Sequence, residues 1–172
     1  MVKRDVPGPY RPEEMERFLE TFMYQRPGFF VDEVTRFDAE QHEIEARLRT
    51  TGPLPLSDLQ RTRAGHPPHV AAGELLMATG SLGCMHAWFF HGCRWDEGWA
   101  GFGNRIHRAD FKRLVRRGPD LRLTSRETRT RVGPTRVVLR FEFRFWQDGQ
   151  LAYFGDQSAM FVKDRDFAES PG

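Results

Sequence analysis

The segment AGELLMATGSLGCMHAWFF, from Ala72 to Phe90, constrains the fold of this chain more than any other. Its pattern is helical and apolar almost all round, with Glu74 at its start, and such a helix has to be buried on most of its sides. Gly80 and Gly83 each cost about 1 kcal/mol relative to alanine inside a helix, so they need a structural reason. Leu76, Gly80, Gly83 and Ala87 fall on one face at i+3 and i+4 spacing, which would let other backbone come very close. A sheet wrapped around this helix is the expected partner. The segment before it, RTRAGHPPHVA, carries two histidines and two prolines. Residues 50–70 contain Gly52, Pro53, Pro55, Gly65, Pro67 and Pro68, which forbid a regular element over most of the span. A loop this long is uncommon in a compact domain unless it serves a function.

The rest of the chain supplies that sheet. PEEMERFLETFMYQ has proline and acids at a helix start and Met15, Phe18, Leu19 and Phe22 at helical spacing, so a short amphipathic helix is predicted from Pro12. GFFVDEVTRF and EIEARLR read as two strands about the turn DAEQH. After a Gly- and Trp-rich connection, HGCRWDEGWAGFG, the segments IHRADFKRLV and DLRLTSRETRTRV supply two more. Val137, Leu139, Phe141, Phe143 and Phe145 alternate with mostly polar residues, and Asp148-Gly149 marks a hairpin turn into LAYFGDQSAMFV. The reading is α+β: about six antiparallel strands, one buried central helix and one N-terminal helix. At 172 residues the chain fits one domain, expected over residues 13–172 behind an extended, proline-rich lead-in at 1–12.

Composition excludes several classes. The formal charge is +2 with basic residues dispersed, whereas a nucleic-acid footprint is a clustered basic face; only Lys112, Arg113, Arg116 and Arg117 form a short run that could meet the phosphates of an acidic small molecule or carrier. Cys84 and Cys93 alone cannot make a four-ligand zinc site, and neither metal nor organic cofactor is expected. The N-terminal residues lack the apolar stretch of a signal peptide and no run approaches a membrane span. A cytoplasmic protein with reduced thiols is the expectation.

Three segments resemble the β-hydroxyacyl-acyl-carrier-protein dehydratases of the hotdog superfamily: PGFFVDEV is similar to their opening strand, ADFKRLVRRGPDL to a later strand motif, and GHPPHVAAGELL to their catalytic histidine loop and central helix. The layout is also similar to the mycobacterial long-chain fatty acyl-CoA thioesterase family, in which a histidine precedes a glutamate at the start of the central helix by five residues, as His69 precedes Glu74 here; FRFWQDG is similar to its final hairpin. These resemblances imply a hotdog fold over residues 13–172, an antiparallel sheet wrapped around one long helix, and an acyl thioester on coenzyme A or acyl carrier protein as substrate. They also imply a homodimer or higher homo-oligomer with its site between subunits, to which Asn104, Arg105 and His107 could contribute.

Thioester hydrolysis needs a polarised carbonyl and an activated water. The unpaired N–H groups at the central helix N-terminus, at Gly73, could hold the oxyanion. Glu74 could act as base or nucleophile, with His69 or His66 orienting water or moving a proton. A glutamate in a first helical turn is also favoured by the helix dipole without any catalysis. A dehydratase needs an acid one turn further in, where Ala78 stands, so dehydration, hydration or conjugate addition is the alternative rather than the leading reading; a non-catalytic acyl-binding protein is the third. His86 and His91 read as structural, His42 as a solvated turn residue, Asp32 as structural, and Thr79 and Ser81 as hydroxyls bonded back to the preceding turn.

Overall fold

The computed structural model describes residues 11–61 and 63–163; the lead-in expected at 1–12 lies almost wholly outside them. The elements are α1 (Pro12–Thr21), β1 (Glu33–Asp38), β2 (Glu43–Leu48), α2 (Ala72–His91), β3 (Trp99–Phe111), β4 (Leu121–Val132), β5 (Arg136–Gln147) and β6 (Gln150–Lys163). Among the described residues the strands form one antiparallel sheet in the order β1-β2-β4-β5-β6-β3. The outer strands are β1 and β3.

Period-two patterning builds the middle of this sheet. Val137, Leu139, Phe141, Phe143 and Phe145 of β5 are all buried. Asp148 and Gly149 both have positive φ, 50° and 72°, the geometry that matches a two-residue turn to the twist of its strands. α2 packs across β3, β4, β5 and β6 and ends on Gly92 in the left-handed conformation at φ 65°, a position that glycine occupies without strain. On its other side α1 inserts Phe18, fully buried, against Phe29, Trp88 and Phe89.

Two expectations are corrected. Residues 99–103 belong to β3 rather than to the connection, which is confined to 92–98; pairing with β6 overrides the weak strand preference of Gly101 and Gly103, and a Cβ at Gly101 would lie 2.4 Å from the Phe161 ring. The glycines of α2 also divide. A Cβ on Gly83 would meet Phe141 at 3.4 Å, so Gly83 admits the sheet, whereas Gly80 faces open space. Thr79 and Ser81 do bond back, to Leu76 O at 2.6 Å and Met77 O at 3.1 Å, and Ser81 Oγ also accepts from Phe30 N at 3.0 Å.

Candidate active site

The start of α2 is closed. Glu74 is fully buried, and its carboxylate accepts from Leu56 N at 2.8 Å, Ser57 N at 3.2 Å, Ala71 N at 3.2 Å and the Ser57 hydroxyl. Ala71 N also donates to Ser57 Oγ at 2.8 Å. This is the glutamate half of a capping box; Ala71 has no side-chain oxygen to return the bond. Four donors occupy both oxygens, so Glu74 clasps the 54–58 loop to the helix and leaves no lone pair for a water or substrate. Leu56 roofs the first turn as well, since a Cβ on Gly73 would lie 2.8 Å from its Cδ1. The expected oxyanion position at Gly73 is therefore covered, because a loop distant in sequence folds over the helix end.

His66 and His69 do come together, ring centroids 5.3 Å apart, in an open depression shared with Gln60 and Arg63. The Gln60 side chain holds the loop by bonding His69 O at 2.9 Å and His69 N at 3.3 Å. Among the described residues Glu74 bonds to Leu56, Ser57 and Ala71 and His69 Nδ1 lies 3.2 Å from Pro67 O, so the two side chains have separate partners. Asn104 and His107 gather on Ser158, whose Oγ donates to Asn104 Oδ1 at 3.2 Å and lies 3.4 Å from His107 Nε2. The neighbouring Gln157 points to α2 through Thr79, and successive strand residues face opposite sides. Asn104, His107 and Ser158 thus lie on the sheet face away from α2, and Arg105 pairs with Ser158 just after a register shift in β3. The basic run is largely engaged in ion pairs: Lys112 with Asp110 at 3.4 Å, Arg116 with Asp148 at 2.5 Å and Arg117 with Asp58 at 2.9 Å.

What the sequence did not reveal is a cavity of about 220 Å³ between α2, the start of β3 and β6. Met77 and Gly80 of α2, Gly101 and Gly103 of β3, and Phe141 and Phe161 wall it. An apolar cavity of about 150 Å³ accommodates benzene, so a somewhat larger apolar group fits here. Two polar side chains of its wall, Thr79 and Gln157, begin a relay: Thr79 Oγ lies 3.0 Å from Gln157 Oε1, and Gln157 Nε2 donates to the Tyr153 hydroxyl behind the wall at 2.7 Å. That bond uses one of the two amide hydrogens of Gln157. Burial, with a smaller contribution from Cys93, pushes the Cys84 thiol up to about 12, so it stays protonated in the wall at neutral pH. Gly80 and Gly83, both in the wall, were the signal of this cavity in the sequence.

A second polar centre lies at the far end of α2, also unforeseen. Glu127 of β4 is contacted by His42 Nδ1 at 3.0 Å, His86 Nδ1 at 3.0 Å, His91 Nε2 at 2.9 Å and the Thr130 hydroxyl at 2.9 Å. Burial alone would raise the Glu127 carboxyl, but the hydrogen bonds and charges of His86 and His91 outweigh it and hold the group far below the carboxylate range. Burial in turn lowers His86, against the opposing pull of Glu127. His42 is thereby corrected from a solvated turn residue to a partner of a buried carboxylate.

No protein-family model matches the chain, and no curated relative matches it in sequence. Solved structures do. A candidate thioesterase from Shewanella oneidensis superposes with a TM-score of 0.59 at 15% identity, covering 88% of this chain and 99% of that one. Thioesterase HI1161 from Haemophilus influenzae gives 0.52 at 15% identity over 86% and 90%, and a point mutant of thioesterase PA1618 from Pseudomonas aeruginosa gives 0.50 at 17% over 76% and 80%. At this identity the likeness establishes architecture: the antiparallel sheet with its long helix is the hotdog fold of these thioesterases.

Proposed function

We propose that this protein hydrolyses an acyl thioester carried on coenzyme A or acyl carrier protein, and that it does so as a homodimer closed along the free edge of β3. The observation that carries the reading is the largely apolar cavity beside Gly80, with Thr79 and Gln157 in its wall and Tyr153 behind them, within a fold shared with thioesterases. The acyl group fills the cavity. The spare amide hydrogen of Gln157 donates to the thioester carbonyl and stabilises the charge that develops on its oxygen.

Among the described residues the cavity wall includes no carboxylate or imidazole, so the proton acceptor for the attacking water comes from elsewhere. A histidine of the 60–69 loop of a second copy, His69 or its neighbour His66, fits that role, since a neutral imidazole nitrogen can accept a proton from water. Exposed Ile106 and Phe111 on β3, with Met23, Tyr24 and Met77 beside the cavity, would be covered in such a dimer. Thiol release from short-, medium- and long-chain acyl thioesters tests the reaction. Gln157→Leu and His69→Ala should each lower kcat, and Ile106→Asp should give monomers in sedimentation with loss of turnover. No thiol release from any substrate, with conversion of enoyl or 3-hydroxyacyl thioesters instead, would sink the reading.

A further inference from the structure

The cluster around Glu127 has the composition and spacing of a metal centre. His42 from the β1–β2 turn, His91 from the last turn of α2 and Glu127 from β4 place their ligand atoms within 4.8 Å of one another. His42 Nδ1 and His91 Nε2 lie 3.0 and 2.9 Å from the same carboxylate oxygen. Donors bound at about 2.0–2.2 Å around one tetrahedral ion stand roughly 3.3–3.5 Å apart. An ion therefore needs the two imidazole–carboxylate separations to open by a few tenths of an ångström, with the two imidazole nitrogens, already within 4.8 Å of each other, closing on it.

The surroundings suit the same reading. The side chains of Glu127 and His91 are 3% and 6% exposed, while that of His42 is 31% exposed and opens a path from solvent. His86 holds the other carboxylate oxygen at 3.0 Å, and its Nε2 is fixed by Ser125 Oγ at 2.9 Å; such outer partners orient ligands in metal sites. His42 adopts φ 47° and its ring stacks on Phe90 at 4.6 Å and 9°. Left-handed backbone at a residue other than glycine is a strained conformation that clusters at functional sites. Two imidazoles and one carboxylate suit zinc-class divalent ions rather than calcium or magnesium.

We propose that His42, His91 and Glu127 bind one divalent transition-metal ion of the zinc class, with His86 positioning the carboxylate and solvent completing the coordination. His91 is about 16 Å along the helix from Gly80 at 1.5 Å per residue, so the ion is a staple joining the β1–β2 turn, β4 and the end of α2. It takes no part in the thioester chemistry, and the proposal stands independently of it.

Chelator-treated, tag-free protein titrated with Zn²⁺ in equilibrium dialysis, and with Co²⁺ by visible absorption, should take up one equivalent and gain thermal stability. Cobalt should show the intense bands of a low-symmetry, four-coordinate site. His42→Asn, which keeps a residue tolerant of left-handed backbone, should weaken uptake by more than about 100-fold, beyond the usual cost of losing an outer partner. His91→Gln should do the same, while the His66→Ala/His69→Ala double variant should bind as the parent does. Absence of stoichiometric uptake, undiminished binding by His42→Asn or His91→Gln, or loss of binding only in the double variant would each overturn the proposal.

Discussion

The two ends of α2 each bury one carboxylate, and they do so in opposite ways. Glu74 is held by three backbone N–H groups and one hydroxyl; the N–H groups carry no lone pair for a cation, and the Ser57 hydroxyl already accepts from Ala71 N. Glu127 is held by three imidazoles and one hydroxyl. Both carboxylates satisfy the requirement that a buried charge be hydrogen-bonded, yet one end is chemically fixed and the other can exchange protons or accept an ion. A buried acid is therefore interpretable only through the chemistry of its donors.

The largest effect expected from this contrast is in Glu74→Ala. It leaves Leu56 N, Ser57 N and the Ser57 hydroxyl without their acceptor, while Ala71 N keeps Ser57 Oγ; orphaned buried donors cost about 1–3 kcal/mol each, so denaturant melts should show a loss of about 3 kcal/mol or more. If the clasp is its whole role, Glu74→Gln should lower activity only as far as it lowers stability. A kcat loss with unchanged stability would restore a catalytic Glu74 and break the comparison.

Acid should act next, at the other end. His86 is held below its ordinary 6.5 by burial and Glu127 below its ordinary 4.5 by its imidazole contacts, so each binds more protons unfolded than folded. Their stabilising contribution is complete above about pH 6.5 and is lost as pH falls, through His86 first and Glu127 afterwards. In chelator, the thermal midpoint should fall across that range, and Glu127→Gln should flatten the slope. A variant as acid-sensitive as the parent would place the titrating groups elsewhere.

Smaller effects sharpen the middle of the helix. Gly80→Ala adds a methyl to open space, so stability should rise by up to about 1 kcal/mol from helix propensity while acyl-thioester turnover falls as the cavity is narrowed. Equal turnover would move the acyl group out of this cavity. Smallest of all, Cys84, with its thiol pushed up to about 12, should resist alkylation at neutral pH in the folded protein and react on unfolding, by mass spectrometry.

The elements were largely legible because their signals are local. The Val137–Phe145 alternation marks β5, Asp148-Gly149 marks its hairpin, and the apolar run from Ala72 marks α2. β3 was cut short at its beginning because Gly101 and Gly103 weaken the local strand signal, and their pairing partners lie some 60 residues away on β6. The site was less legible. The GHPPH loop and Glu74 were singled out for their composition, but a first-turn glutamate serves as cap or base with the same local sequence, and only the fold of residues 54–58 over it decides which.

By itself the sequence determined the α+β class, the six strands and a helix that had to be enclosed, since hydrophobic periodicity and turn chemistry act within a few residues of the chain. The tertiary structure alone decided what that helix meets. Glu74 reaches Ser57 across 17 residues, Thr79 reaches Gln157 across 78, and His42 and Glu127 meet across 85. Contacts at such separations depend on strand order and register, which set where distant side chains converge and leave no mark in any short stretch of sequence.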